Sequence, residues 1–197
     1  MMKTRYIGQW LGVGLSLVFL GVTPAFAQKS PLSPALQTYF DHLERGQEAL
    51  TLREYTVAVA AFTQAIQVQP QRFEAYYQRG QAYSFLGQDA AALADAEKAI
   101  RLNPQYAPAY TLRGLLRFRH RKELEPALAD LNQSLALDPQ QAAVYGLRGT
   151  IKRQMQDIAG AIADFEQGIQ VARARKQFSL YKALERELER TRQLQPR

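Results

Sequence analysis

The sequence predicts an all-α protein, an α-solenoid of four helix-turn-helix units plus a C-terminal capping helix, and three observations predict it. An Arg-Gly pair recurs at Arg45-Gly46, Arg79-Gly80, Arg113-Gly114 and Arg148-Gly149, at spacings of 34, 34 and 35 residues. In phase with it run Ala58, Ala92, Ala127 and Ala161, then Phe62, Ala96, Leu131 and Phe165, then Ala65, Ala99, Ser134 and Gly168, the three-and-four spacing of one helix face. Pro70, Pro104 and Pro139 close the first three units, and a fixed period in this range marks stacked supersecondary units.

The first element is a leader. Residues 1–27 carry Lys3 and Arg5, an apolar run from Trp10 to Val22, Pro24, and then Ala25-Phe26-Ala27. That order is expected of a secretory signal cut between Ala27 and Gln28. The alternative is a retained anchor, for which the run is shorter than the ~20 residues a spanning helix needs. The chain has no Cys, so an exported product is held by packing without disulfides. The mature part has 23 Lys and Arg against 18 acidic residues, a net charge of +5. This mild positive charge aids solubility and favours anionic protein surfaces or lipid head groups over nucleic acid as partners.

Residues 28–38, with two Pro and two Ser, are expected to form a flexible lead-in. The units follow at 39–72, 73–106, 107–141 and 142–175, each of two helices. A mid-helix Gly costs about 1 kcal/mol against Ala, so four in register need a common cause. Small residues let two helix axes approach closely, and the aligned Gly is expected to leave room for the neighbouring helix. In "FLGQDAAAL", Gly87 and Asp89 supply the turn and the start of the second helix.

The unit "FEAYYQRGQAYSFLGQDAAALADAEKAIRLNP" has Tyr76, Gly80, Tyr83, Ala92, Ala99 and Pro104 at characteristic places. On these residues the chain resembles the tetratricopeptide repeat (TPR) family over residues 39–175. The resemblance specifies a fold and says little about chemistry. Three departures stand out. His42 takes the slot of Tyr76, Tyr110 and Tyr145; unit three has one extra residue, expected in the turn between its helices; and unit four has Arg173 where a closing Pro would stand, so its second helix is expected to run on or bend. Residues 176–197 are expected to form the capping helix and tail, with Phe178, Tyr181, Leu184 and Leu188 as one apolar stripe.

Asp95, Asp130 and Asp164 follow Arg79, Arg113 and Arg148 by 16, 17 and 16 residues, while Ala61 breaks the pattern in unit one. A bidentate Arg-Asp pair between the two helices of each unit is expected, with a pairing to the next unit as the alternative.

Site chemistry for catalysis is lacking. There is no Cys, only His42 and His120, no phosphate loop and no metal-ligand spacing, so no enzyme activity, no cofactor and no metal is expected. Stacked helix pairs form an extended concave surface, and the resemblance implies that the first helices line it. The face opposite the packed Gly offers Leu43, Gln47, Tyr77, Gln81, Phe85, Leu115, Phe118, Arg119 and Arg153 as the partner-binding groove. The reading is an exported scaffold or assembly factor, in the periplasm or an equivalent compartment, that holds a peptide or partner helix. The alternative is a peripheral membrane-surface protein using Arg117, Arg119, Arg121, Lys122 and the capping helix on anionic lipid. Lys and Asn pairs that grip a terminal carboxylate in some TPR relatives are replaced here by Tyr77, Gln81, Thr111 and Leu115, so that activity is not carried over.

Overall fold

Ser33 opens the array: its side-chain oxygen accepts the Leu36 N–H at 3.3 Å, and Pro34 occupies the first turn of the helix it caps. The computed structural model describes residues 33–121 and 123–194; the expected leader, residues 1–27, lies outside them. Helix α1 runs Pro34–Thr51, so the ordered array begins inside the segment expected to be a lead-in to residue 38. Then come α2 (Tyr55–Val68), α3 (Phe73–Phe85), α4 (Asp89–Leu102), α5 (Ala107–Leu116), α6 (Leu124–Leu137), α7 (Ala142–Gln154), α8 (Ile158–Ala174) and α9 (Phe178–Arg192). The described residues hold helices and no strand, an all-α helical solenoid in which each helix packs on the next.

Within a unit the two helices are joined by a tight turn with one residue in the left-handed region: Arg53 (φ 61) in unit one, Gly87 (φ 72) in unit two, Gln156 (φ 65) in unit four. The following N–H reaches back five residues, as in Glu54 N to Ala49 O at 2.8 Å and Asp157 N to Lys152 O at 2.9 Å. This satisfies carbonyls the helix end would leave bare. Units are joined differently. Asn103 and Asp138 leave the helix extended, and their side-chain oxygens accept the N–H groups of Gln105 and Gln140 just past the prolines. Tyr76 and Tyr110 donate their hydroxyls to the carbonyls of Pro70 and Pro104 at 3.1 and 3.2 Å, which ties each new unit to the preceding break.

The Gly register serves close packing. A Cβ on Gly80 would lie 3.3 Å from the Ala92 carbonyl and 3.2 Å from Leu112; on Gly46 it would run into the Phe62 ring. The facing alanines Ala58, Ala92, Ala127 and Ala161 are fully buried. The larger fully buried side chains, Tyr39, Phe62, Leu131 and Phe165, fill the space between pairs.

The extra residue of unit three is not in the turn. It is absorbed by a π-helical turn, Arg117–Arg121, that extends α5. A π-turn accommodates one more residue while keeping the axis, so α6 and α7 follow in register. Without a closing Pro, α8 spans 17 residues against 14 for α2, α4 and α6. It ends in a turn of the within-unit kind, with Lys176 at φ 56 and Gln177 N bonded to Ala172 O at 2.8 Å. Helix α9 folds back on α8 and touches α7. Leu184 and Leu188 of its expected stripe are buried, Tyr181 is half-buried, and Phe178 is not part of it, standing 70 % exposed at the helix start. Leu180, which reaches the core from the next turn face, takes that place.

Candidate functional site

The Arg-Asp spacing produces a repeated ion pair within each of units two to four. Arg79 grips Asp95 by two nitrogens at 2.8 Å each, Arg113 holds Asp130 at 2.6 Å, and Arg148 holds Asp164 at 2.5 Å. The three carboxylates are buried, and each guanidinium lies over the tyrosine three residues earlier, Tyr76, Tyr110 or Tyr145, at 5.4–5.8 Å. A second cation one turn on joins two of them: Arg117 at Asp130 and Lys152 at Asp164. The free nitrogen reaches the unit before, Arg79 to Thr63 at 3.1 Å and Arg148 to Asn132 at 2.7 Å. These arginines are structural joints, and in unit one Arg45, facing Ala61, stays exposed.

An open cleft of about 420 Å³ lies along the first helices of the units. Tyr77 and Gln81 come from α3, Thr111, Leu112 and Leu115 from α5, and Ala142 to Val144 from the start of α7. Leu180 of α9 closes the apolar floor, and Gln140, Gln141, Arg175 and Gln177 contribute polar groups from the turns. Tyr77 sits edge-on to Tyr106 at 5.0 Å. Burial, with the nearby Tyr106 second, pushes its hydroxyl up to about 12, a shift that Gln81 partly offsets, so it remains a neutral donor and acceptor. The Gln141 amide nitrogen is spent on Ser134 and on the Asp138 carbonyl, which fixes the side chain at the cleft wall. Thr111 is likewise tied to Ser134 Oγ at 2.7 Å. No carboxylate lines the cleft, and Arg175 is its one formal charge.

The structure brings Tyr77, Gln81 and Leu115 together and disperses the other six expected residues. Leu43 is buried in the core between α1 and α2. Gln47 is exposed on α1 away from the cleft lining. Phe85 leaves the groove for the turn edge, where it stacks on Tyr55 at 4.9 Å and remains 63 % exposed. Phe118 packs on the core of units three and four. Arg119 spans to unit two, bonding Asp89 at 2.5 Å and Ser84 Oγ at 3.0 Å. Arg153 is held by Glu187 at 2.9 Å and Thr191 at 3.0 Å of α9. A count along one helix face does not know which side chains neighbouring helices and turns will claim, as α2 packs on Leu43, Tyr55 stacks on Phe85, Asp89 pairs with Arg119 and α9 holds Arg153. Gln140, Gln141, Arg175, Gln177 and Leu180 were missed because they lie in turns or on α9, although Pro70-Gln71, Pro104-Gln105 and Pro139-Gln140 share a register.

Among the described residues no group of three or more His, Cys, Asp or Glu is placed to hold a metal ion. No helix among them is long and apolar enough to cross a membrane.

The fold and cleft define a helix-pair repeat solenoid with an open groove. More particularly, residues 73–106 and 142–175 match the family model "Tetratricopeptide repeat". No curated protein matches the sequence. Among solved structures, MamA protein is similar in fold at 20% identity and TM-score 0.61, over 79% of this chain and 90% of that one. The first TPR of Spaghetti (RPAP3), bound to the HSP90 peptide SRMEEVD, is 28% identical with TM-score 0.59, over 61% of this chain and 94% of that one. The Sgt2 TPR domain from Aspergillus fumigatus is 26% identical with TM-score 0.57, over 60% and 80%.

Proposed function

We propose that the chain is a non-catalytic scaffold or assembly factor that holds an extended segment of a partner protein in the cleft between α3, α5, α7 and α9. The observation that carries it is the cleft itself: an apolar floor of Tyr77, Leu112, Leu115 and Leu180 with amides along its rim. Side-chain amides bond a peptide backbone in either direction, and the floor takes apolar side chains. A similar fold holds a peptide in the RPAP3 domain, which supports the reading. The site of action is taken to be the cell envelope, on the leader-like residues 1–27.

Photo-crosslinkers placed at Gln81 and Leu115 in cells should yield partner adducts, while one at Arg101, exposed on α4, should yield none. Equal adducts at all three positions would count against the cleft. Export is checked by the N-terminus of the purified native protein, expected at Gln28. Against the anionic-lipid alternative, Arg117 and Arg119 of the basic turn are engaged by Asp130 and Asp89, and Arg173 and Arg192 by Glu185 and Glu166.

A further inference from the structure

We propose that Arg175 is a specificity-determining residue that reads an acidic side chain, aspartate or glutamate, of the extended segment in the cleft. The inference rests on the groove reading above and narrows it. Most arginines near the cleft and the last units are committed, Arg113 and Arg148 to their aspartates, Arg119 to Asp89, Arg153 to Glu187 and Arg173 to Glu185, while Arg45, Arg53 and Arg186, which hold no such pair, do not line the cleft. Arg175 has no side-chain hydrogen bond or ion pair among the described residues, and it is exposed. An uncompensated guanidinium on the rim of an apolar-floored cleft without carboxylates favours a ligand carboxylate, which it can meet with two parallel N–H donors.

The surface just past Arg175 points the same way. Lys176 is exposed, and Phe178 stands 70 % exposed beside it. A second, shallower hollow runs from Lys176 through Gln177 and Phe178 to Leu180. The path therefore continues beyond Arg175, so a bound segment passes the guanidinium instead of ending at it. That favours an acidic side chain in mid-segment, with an apolar neighbour against Phe178, over a terminal carboxylate.

The test pans a phage library of random segments of about twelve residues, displayed between fixed flanks so that no segment ends in the cleft. The full chain, Arg175→Gln and Tyr77→Ala serve as baits. The full chain should enrich Asp or Glu at one fixed offset from an apolar residue, and Arg175→Gln should lose that preference while keeping the apolar one. In fluorescence anisotropy, Glu→Gln in a selected peptide should weaken binding to the full chain about fivefold, as for a rim ion pair of about 1 kcal/mol. The same change should cost less than twofold with Arg175→Gln, and the contrast should shrink at high salt. Selection without acidic preference, or with one that persists in Arg175→Gln, overturns the role of Arg175 and leaves the groove standing. Failure to select any segment, or recovery unaffected by Tyr77→Ala, overturns the groove reading and the Arg175 proposal together.

Discussion

At Asp130 two arginines converge on one carboxylate that is 3 % exposed, Arg113 at 2.6 Å and Arg117 at 2.8 Å. Removing the carboxylate leaves two cations facing each other in a half-buried site. Asp130→Ala is therefore expected to cost about 3 kcal/mol in urea unfolding, against well under 1 kcal/mol for Arg45→Ala, which holds no such pair. Tyr39 gives a residue-level pH effect. Fully buried and 3.4 Å from Glu74 Oε2, it is pushed up to about 12, mainly by burial and next by Glu74. The folded state holds this proton above the pH at which the unfolded tyrosine, near 10, gives it up. Its contribution is thus complete below about pH 10 and lost as pH rises toward 12. Unfolding midpoints should fall across that window, and Tyr39→Phe should flatten the fall. The within-unit Arg-Asp pairs were legible in the sequence because a spacing of 16 or 17 residues repeats. The link to the preceding unit was not, because the residues it meets, Thr63 and Asn132, share no chemistry beyond a side-chain oxygen.

Among the elements, the within-unit turns show where local preference yields to packing. Arg53 and Gln156 hold the left-handed conformation that Gly87 holds without strain. Relief of about 1–2 kcal/mol, less about 0.4–1 kcal/mol for the freer unfolded chain, leaves a net gain near 0.5–1 kcal/mol for Arg53→Gly. Thermal unfolding checks it, and a lower midpoint would show that Arg53 contributes contacts worth more than the strain. The helix pairs and their proline breaks were readable because Gly, Ala and Pro act locally. The placement of the extra residue was not: a spacing of 35 tells that one residue was added, and only the cost of moving α6 and α7 against fixed neighbours decides that α5 takes it as a π-turn. The start of α9 was misread for a related reason. Phe178 has the right spacing for the stripe, yet the turn at Lys176 swings its side chain outward.

Across the whole molecule the array is closed at its C-terminal end by α9. Leu184 enters the notch left by Gly146 and Gly168, lying 3.1 Å from where a Cβ on Gly168 would stand. Leu184→Ala should cost about 3 kcal/mol, and Gly168→Leu should expel the helix. Faster proteolysis after residue 175 would register either change, and an unchanged pattern would mean that α9 is held by its ion pairs alone. The repeats were legible from end to end, but the cleft was only partly so, because a groove belongs to the stack and a sequence displays one unit at a time.

The arginine joints also differ along the stack. Units one and two are stitched by Arg79 to Thr63, and units three and four by Arg148 to Asn132, each from the first helix of one unit to the second helix of the unit before. Between units two and three Arg113 meets no such oxygen, and the bond runs instead from Arg119 to Ser84 and Asp89, out by the turns. The three joints therefore differ in where their side-chain bonds sit, the outer two between helices and the middle one beside the turns. The cleft lies across that middle joint, so a segment bound there braces units two and three along their first helices, on a different edge from the bond at the turns.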